Sequence, residues 1–236
     1  MDNILSNLLE KKPINVSIRT PSNIFIAGAS GSGKTEIVYN LIKFKKNVFE
    51  SPPDKIFYYY SEWQPKFDLM MKENLVEEFI KQTPDIDSLK KKLIENKKKN
   101  FTSFIIFDDL LHGGFIDVIA NAFTVLGSKF KTTFCFISQV LYHPNTNFRI
   151  MSENAHYIFL TKTIRNKRKV SILASQLNPY NGKGIIDAYN FATEDKPYGY
   201  LLIDCHNKCS DEFRYKTDIF PTEKYGGIVL KLYNLH

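Results

Sequence analysis

The sequence predicts an α/β protein with a mostly parallel central sheet and helices on both faces. Short apolar runs rich in β-branched and aromatic residues alternate with segments whose apolar residues recur at helical spacing. No internal repeat or linker breaks this alternation, and 236 residues with 43% hydrophobic content suffice for one well-filled core. Strands separated by helices pair in parallel, so we expect their carboxyl ends to meet at one edge of the sheet.

Composition and spacing locate the elements along the chain. Seven runs are predicted to be strands: Asn23–Ala27, Lys55–Tyr60, Leu75–Ile80, Phe104–Phe107, Thr133–Ile137, Tyr157–Leu160 and Tyr198–Asp204. Helices are predicted at Glu36–Phe44, within 81–100, at Ile116–Leu126, near Ile150–Asn154, at Val170–Leu177 and at Gly184–Ala192. Residues 1–20 are interpreted as a lead-in, 21–205 as the α/β domain and 206–236 as a C-terminal extension, in which Phe213–Tyr215 adds a hairpin.

Charge and cysteine content limit the partners and the compartment. A net charge of +7 and a pI near 9.1 favour a polyanionic partner, although AT-rich coding explains the many lysines equally well. Three cysteines argue against a disulfide framework and for a reducing compartment. The sequence contains no apolar run of membrane-spanning length and no secretory signal. We therefore expect an intracellular protein with no membrane span.

A complete phosphate-binding motif follows the first predicted strand. The eight residues GASGSGKT, at 28–35, match G-x-x-x-x-G-K-[ST] at every fixed position. Glycines let several backbone N–H groups turn toward one anion, and the following helix adds its positive N-terminal end. Lys34 is predicted to neutralise the β- and γ-phosphates of ATP, and the Thr35 hydroxyl to ligate Mg²⁺. The predicted nucleotide contacts are Gly28, Ser30, Gly31, Ser32, Gly33, Lys34 and Thr35.

Two adjoining carboxylates end the strand at Phe104–Phe107. Asp108 stands where a second Mg²⁺ ligand is needed, because a hydroxyl and phosphate oxygens alone leave the ion short of ligands. Asp109 is predicted to orient or deprotonate the attacking water. The alternative for Asp109 is a helix N-cap.

Gln139 follows the strand at Thr133–Ile137. If that strand lies between the strands that precede Gly28 and Asp108, the Gln139 side chain faces the γ-phosphate and orients water. The alternative is that Gln139 is a capping or turn residue. Arg149 and Arg165 lie downstream. Each is a candidate for an arginine that reaches the γ-phosphate of the nucleotide bound to a neighbouring subunit. Both arginines are also suited to contact DNA or to cap a helix.

Several segments together resemble the FtsK–HerA superfamily, and within it the DNA-packaging ATPases of Maverick/Polinton elements, adintoviruses and related double-stranded DNA viruses. The residues that carry the resemblance are IFIAGASGSGKT at 24–35, YYYSEWQPKFD at 58–68, FIIFDDLL at 104–111, FCFISQVLYHP at 134–144, FRIMSENAHYIFL at 148–160, and the stretch 165–179. They span about residues 20–180. The lysine-rich stretch around Pro84 and the chain after residue 180 depart from the family pattern.

The resemblance implies a P-loop NTPase of the ASCE type that uses ATP and Mg²⁺. It implies a ring-forming motor, a hexamer or pentamer, which moves double-stranded DNA into a capsid and meets proteins at the capsid vertex. The implied location is the host nucleus or a cytoplasmic assembly site, with association to the virion. Lys34, Asp109, Gln139, Arg149 and Arg165 then match catalytic positions, and Thr35 and Asp108 match metal ligands. A nucleoside or polynucleotide kinase, a HerA-like DNA-processing ATPase without a capsid and a nucleotide-gated scaffold remain alternatives.

Overall fold

The computed structural model describes residues 17–81, 85–110, 115–165, 167–194, 196–223 and 228–229. Within them, nine strands form one sheet in the order β3-β2-β4-β5-β1-β6-β7-β8-β9. The strands are β1 (Asn23–Ala27), β2 (Lys55–Tyr60), β3 (Glu78–Ile80), β4 (Ser103–Asp108), β5 (Thr132–Ser138), β6 (Tyr157–Thr161), β7 (Tyr200–Asp204), β8 (Tyr215–Thr217) and β9 (Ile228–Val229). Strands β1 to β6 pair in parallel, and β7 to β9 continue the sheet antiparallel. The predicted fold class is confirmed.

Helices cover both faces of the sheet. They are α1 (Lys34–Lys43), α2 (Lys45–Val48), α3 (Pro65–Lys72), α4 (Ile86–Lys98), α5 (Phe115–Asn121), α6 (Gly127–Phe130), α7 (Thr146–Glu153), α8 (Lys167–Leu177) and α9 (Gly182–Thr193). A π-helical turn, Ala122–Leu126, joins α5 to α6, and a 3₁₀ turn, Asp211–Phe213, precedes β8. None of the helices in the described ranges is long and apolar enough to cross a membrane.

The central strands are buried on both faces, which explains their continuous apolar runs. Side chains alternate along β1, so Ile24 and Ile26 pack into one hydrophobic cluster and Phe25 and Ala27 into the other. All five residues of β1 are buried. A parallel strand in this position needs apolar residues on both sides, and this is why the run from Asn23 was recognisable in the sequence.

Several predicted boundaries are wrong for identifiable reasons. The predicted strand at 198–204 begins only at Tyr200, because Tyr198 has a left-handed backbone with φ of 60° and a turn precedes it. The predicted helix near 150–154 is α7, which begins at Thr146 because the Asn145 side chain caps its first turn. In the predicted hairpin, Phe213 belongs to a 3₁₀ turn, and the strand starts at Tyr215.

Other predictions differ in extent or fall outside the described residues. The predicted strand at 75–80 contains only the three residues of β3, and the predicted helix at 116–126 is interrupted by the π-helical turn. Residues 1–16 of the lead-in, Pro84, and residues 224–227 and 230–236 of the C-terminal extension lie outside the described ranges. The division of the chain at residues 20 and 205 stays a prediction.

The strand order sets which loops meet. Strand β5 lies between β1 and β4, so the segments after β1, β4 and β5 leave the same edge of the sheet side by side. The register pairs Ala27 with Ser138 and Asp108 with Ile137. This is the arrangement under which Gln139 was predicted to face the phosphate loop.

Candidate nucleotide site

The phosphate loop, residues 28–35, joins β1 to α1. Its start is tied to β5, because the Gly28 N–H donates to the Ser138 carbonyl oxygen at 3.2 Å. Gly31 and Gly33 have φ values of 72° and 96°, where residues with a side chain are strained. Gly33 caps α1 without a side-chain hydrogen bond, so the first N–H groups of this ten-residue helix face the loop. The backbone is therefore shaped to surround an anion.

Lys34 lies over this loop. Its ammonium donates to the carbonyl oxygens of Gly28, at 2.9 Å, and Ala29, at 2.7 Å. Burial lowers the pKa of Lys34, while the nearby carboxylates of Asp108 and Asp109 act to raise it. These two carboxylates keep a positive charge favourable at the centre of the site.

Strand β6 holds the loop from the other side. The Ser32 and Thr161 hydroxyl oxygens are 2.5 Å apart, and the Thr161 hydroxyl also donates to the Ala27 carbonyl oxygen at 3.3 Å. A Cβ atom at Gly28 would lie only 1.7 Å from the Thr161 hydroxyl oxygen, so Gly28 is required by close approach. Sequence reasoning did not identify Thr161, which comes 126 residues after Thr35 and belongs to no motif.

Asp108 is a buried carboxylate at the end of β4. One carboxylate oxygen accepts hydrogen bonds from the Tyr58 hydroxyl at 2.8 Å and from the Gln64 side-chain amide at 3.2 Å. The pKa of Asp108 is raised to about 6, mainly by burial and also by the Asp109 charge, against the opposing effects of the Tyr58 and Gln64 hydrogen bonds and the Lys34 charge. A carboxylate buried in this way favours a cation as partner.

Gln64 connects the predicted metal ligands. Its carbonyl oxygen accepts from the Thr35 hydroxyl at 2.9 Å, while its amide nitrogen donates to Asp108. One side chain therefore links the end of the phosphate loop to the end of β4. The sequence marks Gln64 only as part of the segment at 58–68. The signal that could have identified it is its position just beyond β2, the strand that neighbours β4.

An aromatic cluster holds Gln64 in place. The preceding Trp63, with 42% of its surface exposed, has its ring edge-on to Tyr60 at 5.5 Å and to Phe67 at 5.4 Å. The Gln64 backbone carbonyl oxygen accepts from the Phe67 N–H at 2.9 Å as α3 begins. The loop after β2 is thus fixed by packing on both sides of Gln64.

Asp109 and Gln139 contact each other at the edge of the sheet. The Gln139 amide donates to the Asp109 carboxylate at 2.9 Å, across the ends of two neighbouring strands. Asp109 has φ of 55°, and its N–H points to the Ile137 carbonyl oxygen at 3.4 Å. This left-handed residue turns the chain away from β4 and leaves its carboxylate partly exposed, in contrast to Asp108.

The two arginines are not brought to this cluster. Arg149 is exposed on α7, 3.8 Å from Glu153, and Arg165 is exposed beyond the end of β6. Within the described part of the chain, neither hydrogen-bonds to the phosphate loop, the acidic pair or Gln139. A role for either arginine at a neighbouring subunit stays a prediction.

The residues fit a nucleotide with magnesium. Oxygen atoms are the ligands that Mg²⁺ prefers, and the Thr35 hydroxyl and Asp108 carboxylate are joined through a single amide. The glycine-rich backbone with Lys34 suits a triphosphate. The site therefore has the donors for both groups, and a second carboxylate, Asp109, stands beside them with a glutamine attached.

Comparisons with known proteins identify the fold. No model of a known protein family matches the sequence, and no curated protein matches it at a significant level. Among solved structures, EssC (ATPases 2 and 3) from Geobacillus thermodenitrificans superposes with a TM-score of 0.56 over 92% of this chain and 41% of that chain, at 13% identity.

Two further structures are similar at lower scores. The cytoplasmic domain of EssC has a TM-score of 0.45 at 15% identity, over 65% of this chain and 33% of that chain. FlaH from Methanocaldococcus jannaschii has a TM-score of 0.40 at 17% identity, over 62% of this chain and 74% of that chain. The chain spans less than half the length of the EssC ATPase structure. The fold is shared with the EssC ATPase structure.

Proposed function

We propose that this chain is an ATPase that hydrolyses ATP to ADP and phosphate to move double-stranded DNA. The observation that carries the proposal is a set of side-chain hydrogen bonds at one edge of the sheet. Gln64 joins Thr35 to Asp108, and Gln139 bonds to Asp109. These groups line one side of a complete phosphate loop. Kinases that transfer phosphate to a second substrate need a further pocket and a lid, for which the sequence offers no clear segment.

The residues divide the chemistry between them. When bound, Mg²⁺ would offset charge on the β- and γ-phosphates. Thr35 and Asp108 would hold it, and the loop N–H groups and Lys34 would bind the phosphates. Asp109 would accept a proton from the attacking water as the new P–O bond forms and the bond to the bridging oxygen breaks. Gln139, already bonded to Asp109 at 2.9 Å, would orient that water.

The DNA substrate and the ring-shaped oligomer rest on further observations. The sequence resembles DNA-packaging ATPases of the FtsK–HerA superfamily, and the +7 net charge suits a phosphate backbone. EssC, an ATPase, shares the fold. We infer a homo-oligomeric ring, hexamer or pentamer, that packages a viral genome, with Arg149 or Arg165 acting at the neighbouring subunit and capsid vertex proteins as further partners.

The test measures phosphate release with and without duplex DNA over a range of protein concentrations. We expect DNA to raise the rate, and the rate per subunit to rise as a ring assembles. Lys34→Ala is the control, because it removes the phosphate-binding ammonium while leaving the sheet unchanged. A rate that responds to neither DNA nor protein concentration would contradict a DNA motor. Label from the γ-phosphate appearing in an organic or nucleic-acid acceptor would identify a kinase instead.

Mixing subunits tests the arginines. An Arg149→Ala subunit keeps its own phosphate loop, and a Lys34→Ala subunit keeps its own arginine. If the arginine acts across an interface, mixtures recover part of the activity that each variant alone lacks. The same experiment with Arg165→Ala decides between the two positions, and an absence of recovery at every ratio for both variants rejects a trans-acting role.

A further inference from the structure

The strand order indicates how a bound nucleotide would lie across the phosphate loop. Asp108 and Gln139 follow β4 and β5, on one side of β1, and the proposed function places the γ-phosphate there. The triphosphate crosses the loop, so the nucleobase belongs on the opposite side of β1. That side is formed by the end of β6 and the start of β7, because β7 is antiparallel to β6 and begins at the same edge.

An exposed aromatic ring stands at this position. Tyr198, two residues before β7, is 60% exposed, although its ring lies against the phosphate loop. A Cβ atom at Gly33 would lie 2.7 Å from Tyr198 Cβ and 2.8 Å from Tyr198 Cδ1. Within the described part of the chain, the Tyr198 hydroxyl makes no hydrogen bond and no aromatic ring packs on it. One face of the ring is therefore available beside Gly33.

The turn that carries this ring is held rigidly. Tyr198 has φ of 60°, and the Gly199 N–H donates to the Lys196 carbonyl oxygen at 3.2 Å. Gly199 fits closely against α9, since a Cβ there would lie 2.4 Å from the Ala192 carbonyl oxygen. Lys196 forms an ion pair with the Asp218 side chain, which is 9% exposed. These three contacts keep Tyr198 in a backbone conformation that is unfavourable for a residue with a side chain.

We propose that Tyr198 stacks on the nucleobase of the bound nucleotide, an inference that rests on the proposed function. A flat ring held still offers contact area with little loss of conformational entropy. Stacking uses the face of the base and does not read its edge. Tyr198 therefore adds affinity for nucleotides without selecting the base, and ATP and GTP are expected to bind within a few-fold of each other.

Binding of three Mg²⁺-loaded probes tests the inference: ATP, GTP and inorganic tripolyphosphate, measured by calorimetry on the full chain. Removing the ring in Tyr198→Ala is expected to weaken both nucleotides roughly tenfold to a hundredfold. Binding of tripolyphosphate, which has no base, stays within about twofold. Tyr198→Phe keeps the ring and is expected to keep wild-type affinity. The matched control is Tyr180→Ala, which removes a fully exposed tyrosine elsewhere.

The outcomes separate this inference from the proposed function. If Tyr198→Ala binds ATP as wild type does, or weakens tripolyphosphate as much as ATP, base stacking is rejected while the ATPase proposal stands. If the wild-type chain binds neither ATP nor tripolyphosphate, the proposed function fails first. A Tyr198→Trp variant adds an independent signal once the response of the native Trp63, measured in the wild type, is subtracted. Stacking would quench the added tryptophan when ATP binds and leave it unchanged with tripolyphosphate.

Discussion

On the β4–β5 side of the phosphate loop, the side chains are polar and already hydrogen-bonded to one another. On the β6–β7 side, a buried threonine supports the loop and a tyrosine ring stands free beside it. The first flank holds Gln64 and Gln139 against the two carboxylates, so it is suited to position charge and water. The second flank offers contact area without charge. Under the proposed function, metal binding and water activation would depend on the first flank, and contact with the nucleobase would depend on the second.

The largest effect is expected from Asp109→Asn. The amide keeps the shape and the contact with Gln139 but cannot accept a proton, so phosphate release is expected to fall roughly 10²–10⁴-fold. Affinity for Mg²⁺·ATP is expected to stay within a few-fold. Asp187→Asn, at an exposed position on α9, is the matched control. An Asp109→Asn variant that hydrolyses ATP at the wild-type rate would reject the general-base role and leave Asp109 only a structural role in the turn after β4.

Gln64→Leu separates metal binding from water positioning on the same flank. It removes the link between Thr35 and Asp108 and is expected to weaken Mg²⁺-dependent nucleotide binding roughly 10–100-fold. Titrating Mg²⁺ at fixed nucleotide measures this, and nucleotide binding in excess chelator is expected to stay unchanged. Gln139→Leu is the comparison, because it should lower turnover without changing the Mg²⁺ titration. Equal Mg²⁺ profiles for wild type and Gln64→Leu would remove Gln64 from the site.

Gly28→Ala tests the loop support on the opposite flank. The new methyl group collides with the Thr161 hydroxyl, and such overpacking is expected to cost about 1–3 kcal/mol of folding stability and, by displacing the loop, to weaken nucleotide binding. The Gly28→Ala, Thr161→Ala double variant is expected to recover part of that loss, because the nearest remaining Thr161 atom, Cβ, would be 3.1 Å away. The comparison uses the affinity of each single variant. Strictly additive losses would show that the two residues do not meet in solution.

The smallest effect is expected at Glu223, behind the β7 turn. Burial raises the pKa of Glu223 to about 7, although hydrogen bonds from the Phe220 N–H and the Tyr200 hydroxyl oppose the shift. The folded chain therefore holds this proton more tightly than the unfolded chain does, and stability falls as the pH rises from about 4.5 to about 7. Above that window the ionised carboxylate destabilises the fold.

Glu223→Gln removes this titration. Its melting temperature is expected to match wild type at pH 5 and to exceed it at pH 8, by roughly 2–4 °C for each kcal/mol. Nucleotide affinity is expected to stay constant, which would separate the stability of this flank from its binding function. Glu212→Gln, at an exposed position, is the control. Identical melting curves at pH 8 would show that the carboxylate is solvated.

The predictable parts of this molecule are those that lie close together in the chain. The phosphate loop and the pair Asp108-Asp109 are contiguous, and apolar runs mark the strands that present them. The contacts of Gln64 and Thr161 join residues 29, 44 and 129 positions apart, so only the folded sheet shows them. The residues after Tyr198 predict a strand that includes it, whereas the contacts of Gly199 with α9 and of Lys196 with Asp218 hold Tyr198 in a left-handed turn. Long-range packing decided each of these positions.

Strand β3 ends one side of the sheet with only three residues, Glu78–Ile80. Glu78 is an exposed charge, and its carboxylate pairs with Lys92 from α4, while Glu77 beside it pairs with Lys55. A second copy that joined by adding a strand here would meet few free backbone groups and would bury charged side chains. Assembly by adding a strand at the β3 edge is therefore disfavoured.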